Sequence, residues 1–309
     1  LLGSVALTGQ NAALWKDIAE RAIPTTEAER KIVPTDYRTL ELDVDEMQRL
    51  LREAPQESTT TIDKSNLIIP VPLPEGNTES YRLIAYELLH PELSARYPEI
   101  RTFWGVSTTN PANTIRVTWS VFGFEAFLIR EEGSVAISPF YRVNQKYYQS
   151  YYKQNLPRNA DFECHVEENA IPNEDDNKEQ AIALGPCGNL RTFRTAMATS
   201  GEYSALVSPN NTKAEVLAEI TNLMNSMNGV YEKDMAVRMT LIANNDAVIY
   251  LNAATDPYTG TNLGPLIDQN QTNLDNVIGS ANYDIGHLLL SFGGGLAGPT
   301  PCINGQEAG

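Results

Sequence analysis

The chain has 309 residues, 42% hydrophobic and 20% charged, a globular composition with room for two domains that excludes collagenous, coiled-coil and broadly disordered classes. With 39 acidic against 23 basic side chains the formal net charge is −16, so the surface repels phosphate backbones and no nucleic-acid partner is expected. There is no eighteen-residue apolar run, hence no expected membrane span, and three cysteines are too few for a disulfide framework.

Residues 1–13 begin LLGSVAL without a methionine. This reads as a candidate signal-peptide remnant, against a short apolar strand as the alternative, and a remnant implies export to the extracellular space. Over 36–55, Leu40 and Leu42 alternate with polar neighbours as a strand. Asp43 then caps a helix that turns Met47, Leu50 and Leu51 to one face and ends at Pro55. After a polar loop at 56–65 the pattern is mostly of period two as far as residue 142, with a short helical insert at 90–98. It is clearest at 114–121, where Ile115, Val117, Trp119 and Val121 form one face and Arg116, Thr118 and Ser120 a polar one. Gly123 and Gly133 mark turns between strands at 124–129 and 135–137. The pairs Tyr147-Tyr148 and Tyr151-Tyr152 read as a packed edge of this domain rather than a carbohydrate platform. Residues 14–163 are therefore expected to form a β-rich α+β domain.

Between 164 and 186 acidic and amide residues dominate, broken by Pro172, which is the composition of an exposed linker open to proteases. From 187 onward the period changes. Residues 190–198 read as a strand. Thr212 and Glu215 form a capping box, opening a helix with Val216, Ile220, Leu223, Met224, Met227 and Tyr231 on one stripe. A strand at 236–243, a turn at 244–246, extended chain at 248–251 and a polar loop at 254–264 follow. A helix at 270–280 and a strand at 284–292 then lead to the turn Gly293-Gly294-Gly295. Strand–helix–strand alternation predicts an α/β layer with a mixed, mainly parallel sheet and right-handed crossovers.

The stretches LRTFRTAMATSGEYSALV (190–207), MNGVYEKDMAVRMTLIANNDAVIYLNAATDPY (227–258) and DNVIGSANYDIGHLLLSFGGGLAG (275–298) resemble secreted bacterial reprolysin-like zinc peptidases of the metzincin kind. FECHVEE (162–168) and NTIRVTWSVFGFEAFLI (113–129) share the resemblance, which covers nearly all of 36–309. It implies a propeptide domain at 14–163, a linker at 164–186 and, at 187–309, the N-terminal part of a metallopeptidase domain. The intact protein would then hydrolyse peptide bonds in protein or peptide substrates through zinc-activated water.

That chemistry takes H-E-x-x-H-x-x-G-x-x-H, in which two histidines one helical turn apart and a third hold Zn²⁺ and the glutamate is the base. No such motif occurs in the 309 residues. The histidines here, His90, His165 and His287, are unpaired at four-residue spacing, so no catalytic or metal residue is assigned in this chain and the zinc helix is expected beyond Gly309. The resemblance instead makes Gly295, Leu296 and Ala297 an edge along which a peptide backbone would lie. His287 reads as a hydrogen-bonded strand histidine. Cys164 is a propeptide-latch candidate through zinc–thiolate ligation, with a Cys164–Cys187 bridge or a free thiol as alternatives; Cys302 is expected unpaired. Glu202, Asp246, Asp256 and Asp268 carry the oxygen chemistry for Ca²⁺ but match no loop motif, and caps and turns explain them better. The rival functional classes are a non-enzymatic extracellular binding module and a degenerate, inactive relative.

Overall fold

The structure, a computed structural model, describes residues 14–25, 30–142, 144–157 and 190–297. The signal-remnant segment, the acidic linker at 164–186, and Cys164, His165, Cys187 and Cys302 lie outside the described residues. The chain forms two compact units. One comprises Leu1–Ala85, Trp104–Ile115 and Gly123–Leu156; the other comprises Tyr86–Phe103, Arg116–Phe122 and Pro157–Gly309.

Nine strands make one sheet: β1 (Trp15–Asp17), β2 (Arg38–Leu42), β3 (Ile68–Pro72), β4 (Thr78–Tyr86), β5 (Arg101–Ser107), β6 (Thr114–Ser120), β7 (Gly123–Ile129), β8 (Val135–Pro139) and β9 (Tyr147–Tyr152). Their order is β1-β2-β9-β8-β7-β6-β5-β4-β3, a meander from β3 to β9 extended by β2 and β1. Helices α1 (Val44–Arg52) and α2 (Pro91–Arg96) interrupt the run. Asp43 caps α1 by accepting the Glu46 amide at 3.1 Å, and Met47 and Leu51 face inward.

In the first unit Trp15, Phe124 and Tyr148 meet edge-on at 5.4 to 6.4 Å, and the Phe124 amide donates to the Tyr148 hydroxyl at 3.0 Å. Gly123 permits this approach, since its φ is +95° and a Cβ there would lie 2.5 Å from that hydroxyl. The tyrosine pairs are therefore not at an edge. They sit on β9 between β2 and β8, with Tyr148 and Tyr151 buried.

The second unit carries a three-stranded sheet: β10 (Arg191–Thr199), β11 (Val237–Leu241) and β12 (Ile285–Leu289), in the order β11-β10-β12. Both pairings are parallel, so among the described residues this sheet is not mixed. No strand is assigned between 290 and 297, where an edge at Gly295, Leu296 and Ala297 was expected; Gly295 makes a single bridge. α3 (Gly201–Val207) and α4 (Lys213–Met235) connect β10 to β11, and α5 (Leu263–Val277) lies between β11 and β12.

Several sequence expectations need correction here. α3 was not foreseen: Ser200 caps it through the Tyr203 amide, and Gly201 fits because a Cβ would lie 2.1 Å from the Ala253 nitrogen. The turn expected at 244–246 is a 3-10 turn over Asn245–Val248, so the extended chain begins at Ile249 rather than at Val248. α5 starts seven residues earlier than its periodicity suggested, because Asn262 caps it through the Gly264 amide. At α4 only half of the capping box forms. Thr212 accepts the Glu215 amide at 3.3 Å, while the Glu215 carboxylate turns to Ser208 Oγ at 2.5 Å and the Asn210 amide at 2.9 Å. Of the predicted stripe of α4, Val216, Ile220 and Met224 are buried and Met227 and Tyr231 half-buried, but Leu223 is exposed, while Thr221, Asn225 and Asn228 are buried.

Candidate functional site

β12 is the last strand of the parallel sheet among the described residues, and its outer edge looks onto a cavity of about 190 Å³. α5 supplies one wall through Leu263, Leu266 and Asn270, and the chain after β12 supplies another through Phe292, Gly295 and Leu296. The lining is mainly apolar because Leu288 and Leu290 pack onto the core formed by Ala196, Ala198, Ile242, Leu266 and Leu274. A polar cluster backs α5. The Tyr258 hydroxyl donates to Asn270 Oδ1 at 3.0 Å, Asn273 Nδ2 donates to the same hydroxyl at 3.0 Å, and Tyr250 donates to Asn273 Oδ1 at 2.6 Å. Burial pushes the Tyr258 hydroxyl well above the usual phenol range, so this cluster is neutral and positions α5 rather than exchanging protons.

Two of the three predicted edge residues, Gly295 and Leu296, line this cavity, and Ala297 is exposed next to them. Gly294 takes φ +128°, a conformation open to glycine, which turns the chain alongside β12. His287 lies on β12 opposite Met197. As a residue it is exposed, yet the protein around its ring still depresses the imidazole below its ordinary range and favours the neutral form.

Two of the four carboxylates considered for calcium have protein partners. Asp246 pairs with Arg96 at 2.9 Å, and Asp256 accepts the Gly201 amide at 2.7 Å and the Tyr258 amide at 3.0 Å. Glu202 sits in the first turn of α3, and the Asp268 carbonyl accepts Thr272 Oγ1 within α5. His90 is spent on a cap, its Nδ1 accepting the Glu92 amide at 3.3 Å. Among the described residues no three His, Cys, Asp or Glu side chains converge as a metal site requires, so these donors do not fit a zinc ion.

Three buried asparagines were missed by the sequence reading. Asn228 spans Met239 with two bonds, accepting its amide at 2.9 Å and donating to its carbonyl at 2.8 Å. Asn245 does the same to Met197, at 2.7 and 3.1 Å. Each side-chain amide stands in for a neighbouring strand where the ladder has none. Asn225 donates to the Val117 carbonyl at 2.8 Å and to Thr118 Oγ1 at 3.0 Å, and accepts the Tyr86 hydroxyl at 2.7 Å. For Asn225 and Asn228 the signal in the sequence was amide residues at helical spacing on an otherwise apolar stripe.

The layer formed by β10, α4, β11, α5 and β12 lies within a stretch similar to a known family. Residues 189–298 match the family model for the M12B reprolysin-like metallopeptidases. No curated protein matches the chain. The reprolysin-like stretch thus begins just before β10 and ends just after Ala297, taking in the cavity and the Gly295–Leu296 edge.

Proposed function

We propose that residues 190–297 are the sheet-bearing part of a zinc-dependent endopeptidase that acts on protein or peptide substrates outside the cell. In this reading the β-rich region is its propeptide, residues 164–186 are the connecting linker, and the zinc-holding residues are contributed by sequence beyond Gly309. The supporting observation is the parallel β11-β10-β12 layer with α4 and α5, lying within the residues that match the M12B reprolysin-like family. Gly295, Leu296 and Ala297 would offer a peptide backbone an edge free of bulk, beside an apolar cavity able to take a side chain. Leu206, Leu223 and Val230 are exposed on α3 and α4, consistent with a layer that receives further structure. Cys164 remains the latch candidate.

The chain carries no H-E-x-x-H, and its described donors do not assemble around a metal, so the 309 residues alone should be inactive. The test is a fluorogenic peptide-library assay with zinc, run on the 309-residue chain and on one extended through the downstream codons. Zinc-dependent cleavage only by the extended chain is expected. Cleavage by the short chain would remove the claim of inactivity. An extended chain without H-E-x-x-H, or with the motif and no activity, would favour the degenerate relative.

A further inference from the structure

The second unit is assembled from chain on both sides of residues 158–189, and the earlier pieces do structural work for the later ones. Leu241 at the end of β11 needs partners for its amide and carbonyl. Residues 88–90 supply them: the Leu241 amide donates to the Leu88 carbonyl at 2.8 Å, and the His90 amide donates to the Leu241 carbonyl at 2.9 Å, as a parallel strand would. One step back along the same edge, Met239 is held by Asn228. The outer edge of β11 is thus closed by one side chain of α4 and one short extended segment.

A buried charge cluster sits beside this edge. Glu232 of α4 takes Arg116 at 2.8 and 3.2 Å and Arg238 at 2.7 and 3.0 Å. All three side chains are at most 14% exposed. Both guanidinium groups stand over the Tyr86 ring, at 5.4 and 4.8 Å from its centroid. Asn225 joins the same cluster to β6, and Arg96 bridges to Asp246 and to the Ala243 carbonyl at 2.7 Å. Leu88, Leu89, Leu93 and Ile100 are all buried. A single carboxylate satisfying two buried guanidiniums from separate parts of the chain is a matched set: removing either side leaves charge stranded.

We propose that Tyr86–Phe103 together with Arg116–Phe122 is a docking element for the 190–297 layer, and that the two remain together as a non-covalent pair once the backbone between them is cut. The recognised features are the outward ladder groups of Leu241 and the carboxylate of Glu232, and the occupant is this chain's own earlier segment. The pairing is independent of whether 190–297 serves a peptidase.

The experiment places a site-specific protease recognition sequence after Asp176 in the full chain. The purified protein is cut to completion and passed over a size-exclusion column at low micromolar concentration. One peak of the uncut size containing both pieces is expected; separate peaks, or aggregation of the C-terminal piece, overturn the proposal. Glu232→Ala should make the cut pair separate at concentrations at least ten-fold higher than the parent does. Separation unchanged within two-fold would overturn the role given to the charge cluster. Should that variant not fold, Arg238→Lys keeps the charge but not the two-bond fork, and is expected to weaken the cut pair about three-fold; an unchanged pair counts against the proposal equally.

Discussion

Replacing Asn228 with leucine tests whether a side chain can serve as a strand. The amide makes two bonds to Met239 in a fully buried setting. Leucine is of similar size, so the perturbation is chemical and leaves little cavity. It strands one N–H and one C=O, at about 2 kcal/mol each. The added apolar burial returns about 1 kcal/mol. The expected net loss is about 3 kcal/mol, roughly a hundred-fold or more in the opening equilibrium of the β11 edge. Peptide-resolved hydrogen exchange over 237–241 in a urea series reads this for the second unit alone, which matters because two units need not unfold in one step. The Met239 amide should lose its protection and the apparent opening energy should fall by that amount. A change below about 0.5 kcal/mol, comparable to a neutral surface substitution, would mean that Asn228 does not stand in for a strand.

Two further outcomes follow from the same unit. Burial alone pushes the Glu232 carboxyl up, but hydrogen bonds from Arg238 and Arg116 outweigh it and hold the group below the usual carboxylate range. Because its folded value lies below its unfolded one, its contribution is complete above about pH 4.3 and is lost as pH falls through the folded value. Acid titration followed by exchange over 213–235 should show this limb, and Glu232→Gln should flatten it; an unchanged limb would put the acid sensitivity elsewhere. Gly201→Ala and Gly260→Ala separate two kinds of glycine requirement. At Gly201 the added methyl meets immovable backbone 2.1 Å away, whereas at Gly260 it meets open space but a φ of +85°. Thermal melts should show a loss of about 3 kcal/mol or failure to fold for the first, and about 1 kcal/mol for the second. Equal effects would contradict the steric account.

The legible parts of the fold were those decided locally. Asp43 before the first helix and the parallel alternation from 190 onward were readable because a cap and an apolar period act within a few residues. The failures share a cause. Ser200 and Asn262 cap helices over weak periodicity, so α3 was missed and α5 was started late. Leu223 was given to the core because it is apolar, while the structure buries Asn225 and Asn228 on α4 instead. At those positions orphan backbone groups had to be satisfied, and hydrophobicity carries no information about which strand edge lacks a neighbour. The edge at Gly295 and Leu296 came from resemblance; the cavity beside it, made by α5 and β12 together, was not visible in any one segment.

The polar face of β6 has the widest consequence. Arg116, Thr118 and Ser120 alternate with apolar residues as a solvent-facing row would, yet all three are buried. Asn225 reaches Thr118 and Glu232 reaches Arg116, so the row is polar because it meets polar side chains of α4. A period of two reports that the two faces of a strand differ, and says nothing about which of them water touches. With an ion cluster on one face and an apolar row of Ile115, Val117 and Trp119 on the other, β6 is specified on both sides. A charge-preserving change at Arg116 should therefore cost more than one at the exposed Arg49, whose bonds to Glu46 and Glu53 are of similar length but lie in solvent.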